Sequence, residues 1–75
     1  MTLYEFNILD LNDRMEAVNQ NGVFLNNHIT ESEKCNLYAI ELFFVEVVYN
    51  SNLNKITEIN SFKTGYLLDK YSKNF

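Results

Sequence analysis

Proline and tryptophan are absent from this chain, glycine occurs twice, and cysteine, histidine and arginine occur once each among 75 residues. Two glycines are too few for a glycine-rich loop that cradles phosphate with backbone N–H groups. A lone Cys35 rules out an internal disulfide and any paired-cysteine metal or redox motif, and suits a reducing compartment. Arg14 is the only arginine, and six basic residues stand against ten acidic ones for a net charge of −4. Proteins that bind nucleic acid usually present a clustered basic face, and none is visible. The same balance argues against an anionic membrane and permits a basic partner. No apolar run approaches the roughly 20 residues of a membrane helix. No basic segment followed by an apolar one opens the chain, so the expected location is the cytoplasm. Neither HExxH nor GxSxG occurs. The reading that follows is of a protein that is not an enzyme and carries no cofactor or metal.

What is present is core material. Hydrophobic residues make up 47% of the chain, with six Phe and five Tyr. Each aromatic can bury roughly 150–250 Å², more in total than a single-layer sheet with two short helices covers. Apolar surface is therefore expected to remain for a partner. Asparagine occurs twelve times. With glycine scarce, it is the expected occupant of the left-handed positions that turns require. At 75 residues the chain makes one domain, near the lower limit for folding without staples.

Residues 37–49 (LYAIELFFVEVVY) hold the hydrophobic centre. Branched and aromatic side chains favour a pleated, half-buried surface, so this run is read as strand. Thirteen residues exceed an ordinary strand. One solution is a tight hairpin around Glu41-Leu42, with strands at 36–41 and 43–50; the other is one long bent strand. The hairpin is preferred because Glu41 is the only charge between positions 37 and 45.

Before this centre, Thr2 and Glu5 have capping-box spacing and predict a helical turn over 3–7. Asp10 can cap a second helix over 11–20, with Asp13 and Glu16 near its positive end and Leu11, Met15 and Val18 as its apolar stripe. Asn21-Gly22 ends that helix, with Gly22 expected in the left-handed cap. Residues 23–30 read as an exposed edge strand with Val23, Leu25 and Ile29 on one face, followed by a charged connection over 31–34. After the centre, residues 50–54 have the character of a hairpin loop closed by a left-handed Asn54. Ile56, Ile59 and Phe62 stand three apart, which favours a strand with a bulge and leaves a helix open. Thr64 can cap a last helix over 65–73.

The succession of YEFN, a short acidic helix, Asn-Gly, FFVEVVYN, a polar Asn loop and NKITEINSFK resembles a set of small uncharacterised bacterial proteins. The resemblance covers essentially the whole chain. It implies an α-β-β-β-β-α order and carries no functional residue.

Candidates for chemistry are few. His28 can act as base, ligand or pH switch, yet no pairing motif accompanies it, and the simpler reading is a surface histidine. Cys35 lies seven residues away and can pair with it across a loop, although a free cysteine is more often a small buried hydrophobe. Glu46 and Glu58 come together on one sheet face if the hairpins close as drawn. Two close carboxylates can divide acid and base roles or hold a cation. The simpler reading points each to solvent opposite Lys55 or Lys63. The acidic series Asp10, Asp13, Glu16 lacks the spacing of a calcium loop.

The expected fold is therefore α+β, a four-stranded antiparallel β-meander with an N-terminal and a C-terminal helix on one face. The expected function is a non-enzymatic protein–protein interaction module acting through an apolar sheet face or edge. Tyr38, Phe43, Phe44 and Tyr49 are the suggested surface, and a homodimer is one outcome. Two alternatives stand beside it: a small-ligand or hydrolytic pocket using Glu46, Glu58 or His28, and an acidic, antitoxin-like inhibitor of a basic partner.

Overall fold

The computed structural model describes residues 1–63. The helix expected over 65–73, with its Thr64 cap, lies outside them. Six elements follow in order: α1 (Leu3–Asn7), α2 (Leu11–Asn21), β1 (Val23–Ile29), β2 (Glu33–Ile40), β3 (Phe43–Asn50) and β4 (Lys55–Phe62). The strands form one antiparallel sheet in the order β1-β2-β3-β4, so the fold is the expected α+β meander.

The helices start where local chemistry puts them. Thr2 accepts from the Glu5 N–H while the Glu5 carboxylate accepts from the Thr2 N–H, at 3.1 and 2.7 Å, closing the capping box on α1. Asp10 accepts from the Asp13 N–H at 2.8 Å and caps α2. The apolar stripe of α2 is shifted from its expected course. Ala17 and Val18 are buried and Met15 packs beside them, but Leu11 is exposed.

Gly22 alone links α2 to β1, for a reason other than the expected one. Its φ is −78°, in the extended region, and not left-handed. What requires glycine is closeness: a Cβ here would stand 2.6 Å from the Val18 carbonyl oxygen. That oxygen accepts the Gly22 N–H at 2.8 Å, so the backbone cannot retreat without losing the bond that ends the helix.

The hydrophobic centre does fold back on itself. Ile40 and Phe43 are the last cross-strand pair of β2 and β3, and Glu41, with φ of 51°, takes the left-handed position. Asn54 takes the other, with φ of 54°, and closes the loop into β4. There the Asn50 carboxamide accepts from the N–H groups of Asn52 and Leu53, both at 2.9 Å, shaping the turn from within. The charged connection is shorter than expected, because β2 already begins at Glu33. Thr30 makes the turn compact by accepting the Glu33 N–H on its hydroxyl, at 3.1 Å.

Two bulges decide which side chains share a face. In β4, Val48 faces Glu58 and Tyr49 faces Ile56, leaving Thr57 as the extra residue. This places Ile56 and Ile59 together against the helices, whereas Phe62, beyond the bulge, lies on the opposite face against Phe44. In β1 the extra residue is Leu25. Val23 consequently pairs with Ala39 and Ile29 with Lys34, on opposite faces, and the single apolar face expected for β1 does not exist.

Phe6, Ala17, Val18, Ile40, Phe43, Val45, Val47 and Ile59 form the main core between the two helices and one face of the sheet. Phe6 and Phe43 meet with ring centres 5.6 Å apart. On the second face Cys35, Leu37 and Val48 are buried as a smaller cluster, flanked by Phe44 and Phe62.

Candidate functional site

Register sets the polar residues of the second face in two rows. One runs Asn26, Leu37, Glu46, Asn60 and the next runs His28, Cys35, Val48, Glu58, each from β1 to β4. His28 and Cys35 are thus direct cross-strand neighbours, and Glu46 and Glu58 share a face one diagonal step apart. The sequence brought both pairs together correctly. The solvent-facing reading of the glutamates holds only for Glu58: Glu46, on a central strand, is 2% exposed. Cys35 is buried as well, and Asn26, His28, Cys35 and Glu46 are each engaged in further contacts.

Among the described residues no group of three or more His, Cys, Asp or Glu side chains could hold a metal ion. A cleft of about 130 Å³ opens elsewhere, lined by Met1, Thr2, Leu3, Glu41, Leu42, Phe43 and Lys63. It contains none of His28, Glu46 or Glu58, and it falls short of the roughly 300 Å³ at which small-molecule sites begin. At its rim the N-terminal ammonium pairs with Glu41 at 2.5 Å, which raises the ammonium pKa above its usual 8.0. Glu5 moves the other way. Its pKa is lowered by the bond from the Thr2 backbone and then by that from the Thr2 side chain.

The four aromatics suggested as a surface do not make one patch. Phe43 is a core residue, and Phe44 stacks on Phe62 on the second face with ring centres 5.8 Å apart. Tyr38 lies on the helix face, edge-on to Phe24 at 5.8 Å, and the Tyr49 hydroxyl bonds to Asn54.

Among the strands, β1 carries four exposed apolar side chains, divided between its two faces. Val23, Phe24, Leu25 and Ile29 are 63, 55, 41 and 61% exposed. This strand forms an outer margin of the sheet, and its seven residues, VFLNNHI, carry no charge. Charged side chains, proline and covering elements are the usual protections of such a margin. Among the described residues the bulge is the one such device seen on β1.

The other margin, β4, is tied to the helices by Arg14. Its guanidinium donates to the carbonyls of Leu9 (3.0 Å), Ile59 (2.9 Å) and Asn7 (2.8 Å), joining the end of α1, the α1–α2 link and the outer strand. The same group lies over the Phe6 ring, 5.6 Å from its centre. The Ser61 hydroxyl adds a bond to the Asn7 carboxamide. No signal in the sequence marked this role of Arg14, whose Ile59 partner is 45 residues away. For β1 the signal was present as an uncharged strand, read as an edge.

Comparison with known protein families, with curated proteins and with solved structures finds no match to this chain. No helix among the described residues is long and apolar enough to cross a membrane.

Proposed function

We propose that the chain is a non-enzymatic protein–protein interaction module whose contact element is β1. The observation that carries this reading is the contrast between its outer strands. One is bonded and covered by helices, while the other offers four exposed apolar side chains and an uncharged backbone ribbon. An extended segment of a partner adds to such an edge through main-chain hydrogen bonds, and exposed side chains supply specificity. The pocket alternative has less support, since its candidate residues sit on a face where Cys35 and Glu46 are buried and engaged. An inhibitor of a basic partner is a narrower version of the same proposal. Its charge would come from the exposed Asp10, Asp13 and Glu16 of the α2 end, because β1 itself has none. Steering of that kind weakens with salt.

The test compares three baits in affinity capture from the native host. Proteins held by the wild-type chain are expected to be lost from a Val23→Lys/Ile29→Lys bait and kept by a Tyr4→Lys bait, altered at an exposed helix position. Equal retention by all three would remove β1 from the mechanism.

A further inference from the structure

Asn21-Gly22 is the one Asn-Gly step in the chain. In an unfolded peptide such a step is chemically labile, because glycine has no Cβ to hinder attack by its backbone nitrogen on the preceding carboxamide. The fold itself demands that glycine. A Cβ at position 22 would stand 2.6 Å from the Val18 carbonyl oxygen and 3.3 Å from Val18 Cγ1. The residue that lets α2 run directly into β1 is therefore the residue that makes the link reactive.

We infer that Asn21 is a latent site of covalent modification, at which water replaces the carboxamide nitrogen through a cyclic imide with Gly22, and that the last turn of α2 keeps this site closed.

The Gly22 nitrogen loses its proton to a solvent base and forms a bond to Asn21 Cγ. The Cγ–Nδ2 bond breaks, and nitrogen leaves as ammonia with a proton returned from solvent. Water then opens the imide. Cleavage at Cγ gives aspartate in an unchanged backbone, while cleavage at the Asn21 carbonyl carbon gives isoaspartate, whose main chain runs through the former side chain. One water is consumed and one ammonia released, with nothing oxidised or reduced.

Three features of the native chain oppose this step. Asn21 is the last helical residue of α2, and a helical ψ turns the Gly22 nitrogen away from the carboxamide carbon. The Gly22 N–H donates to the Val18 carbonyl at 2.8 Å, so the attacking nitrogen is committed to the bond that ends the helix. The Asn21 carboxamide is drawn the other way, donating to the Ala17 carbonyl at 3.4 Å, one turn back. Position 21 is nevertheless exposed, so water and base reach it once the turn unwinds. Helix ends open more readily than a packed core, and the rate of reaction becomes a measure of that opening.

Either product places a carboxylate at the C-terminal end of α2, where the helix dipole disfavours negative charge, and adds one unit to the net charge of −4. Isoaspartate also lengthens the backbone just before Gly22, the single residue between α2 and Val23, which pairs with Ala39. The modification thus acts on the seam between helix and sheet, whatever partner β1 takes.

The experiment incubates the purified wild-type chain in mildly alkaline buffer, native or in denaturing urea. Peptide mass mapping locates the loss of carboxamide, and chromatography separates the isoaspartyl product. In urea Asn21 is expected to react ahead of Asn50 and Asn60, which precede the more hindered serine. It should also react roughly tenfold or more faster there than in the native chain. Equal rates at Asn21 in the two conditions overturn the guard by α2, and earlier reaction at Asn50 or Asn60 in urea overturns the site. Gly22→Ala compared in urea, where folding does not enter, should react more slowly at Asn21; an unchanged rate removes the glycine from the chemistry. The modified chain, returned to native buffer, should melt below the wild type, and an unmoved midpoint would overturn the effect on the seam.

Discussion

The two outer strands of this sheet are of nearly equal length, seven residues in β1 and eight in β4, and they are finished in opposite ways. β4 begins with a lysine, carries a glutamate and takes bonds from Arg14 and to Asn7. β1 has no charge and leaves its apolar side chains in water. Both carry a bulge, so irregular backbone does not separate them. The difference lies in where the helices rest. Among the described residues α1 and α2 both pack on β4 and α2 also reaches β2, with no comparably extensive helix contact on β1. Among the described residues the two helices favour one side of the sheet, and on the proposed reading the other side is where association is expected.

The largest test of this contrast removes what ties β4 to the helices. Arg14→Ala takes three bonds from backbone carbonyls and uncovers Phe6, and should lower stability by roughly 3 kcal/mol in urea unfolding. Arg14→Lys should recover only part of this, because an ammonium does not match a fork that spans three carbonyls. If Arg14→Ala unfolds at the wild-type midpoint, β4 is not held as described. Gly22→Ala acts at the entry to β1. Its new Cβ presses on the Val18 carbonyl, an overpacking that should lower stability by about 1–3 kcal/mol. Thermal melting reads this directly, and a neutral result would mean that the α2–β1 link yields more easily than its geometry implies.

Acid sharpens the comparison on the β4 side, since the capping box sets the start of the helix that brings Asn7 to Ser61. Glu5 is lowered in the folded chain, so its contribution is complete above its ordinary value of 4.5 and disappears as pH falls through the lowered value. Thr2→Ala should return the Glu5 titration, followed by carbon-detected NMR, toward the ordinary value, with acid unfolding setting in at higher pH. An unchanged Glu5 titration in Thr2→Ala would break the link between cap and shift. The smallest effect is expected on the open side. Val23→Lys alters a side chain 63% exposed and should change monomer stability by no more than about 0.5 kcal/mol. A larger loss in dilute solution would show that β1 is already part of the folded core.

Much of the local structure was legible because its causes are local. The Thr2–Glu5 box, the Asp10 cap, the hairpin at Glu41-Leu42 and the left-handed Asn54 all depend on residues within a few positions of one another. The candidate site was legible only in part. An uncharged edge strand could be seen, but the bulge at Leu25 that divides Val23 from Ile29 could not. The aromatic surface went astray because Tyr38, Phe43, Phe44 and Tyr49 are alike in composition and differ only in which face their register gives them.

By itself the order of residues determined an antiparallel meander led by two capped helices, because capping, strand propensity and turn conformation are short-range matters. Tertiary structure alone decided that Gly22 must lack a side chain, that Glu46 is buried and that Arg14 ties β4 to the helices. Each of these depends on atoms brought close only when helices and strands pack. The exposure of Val23, Phe24, Leu25 and Ile29 on β1 is the same kind of result: it follows from where the described helices come to rest, and no single segment encodes that.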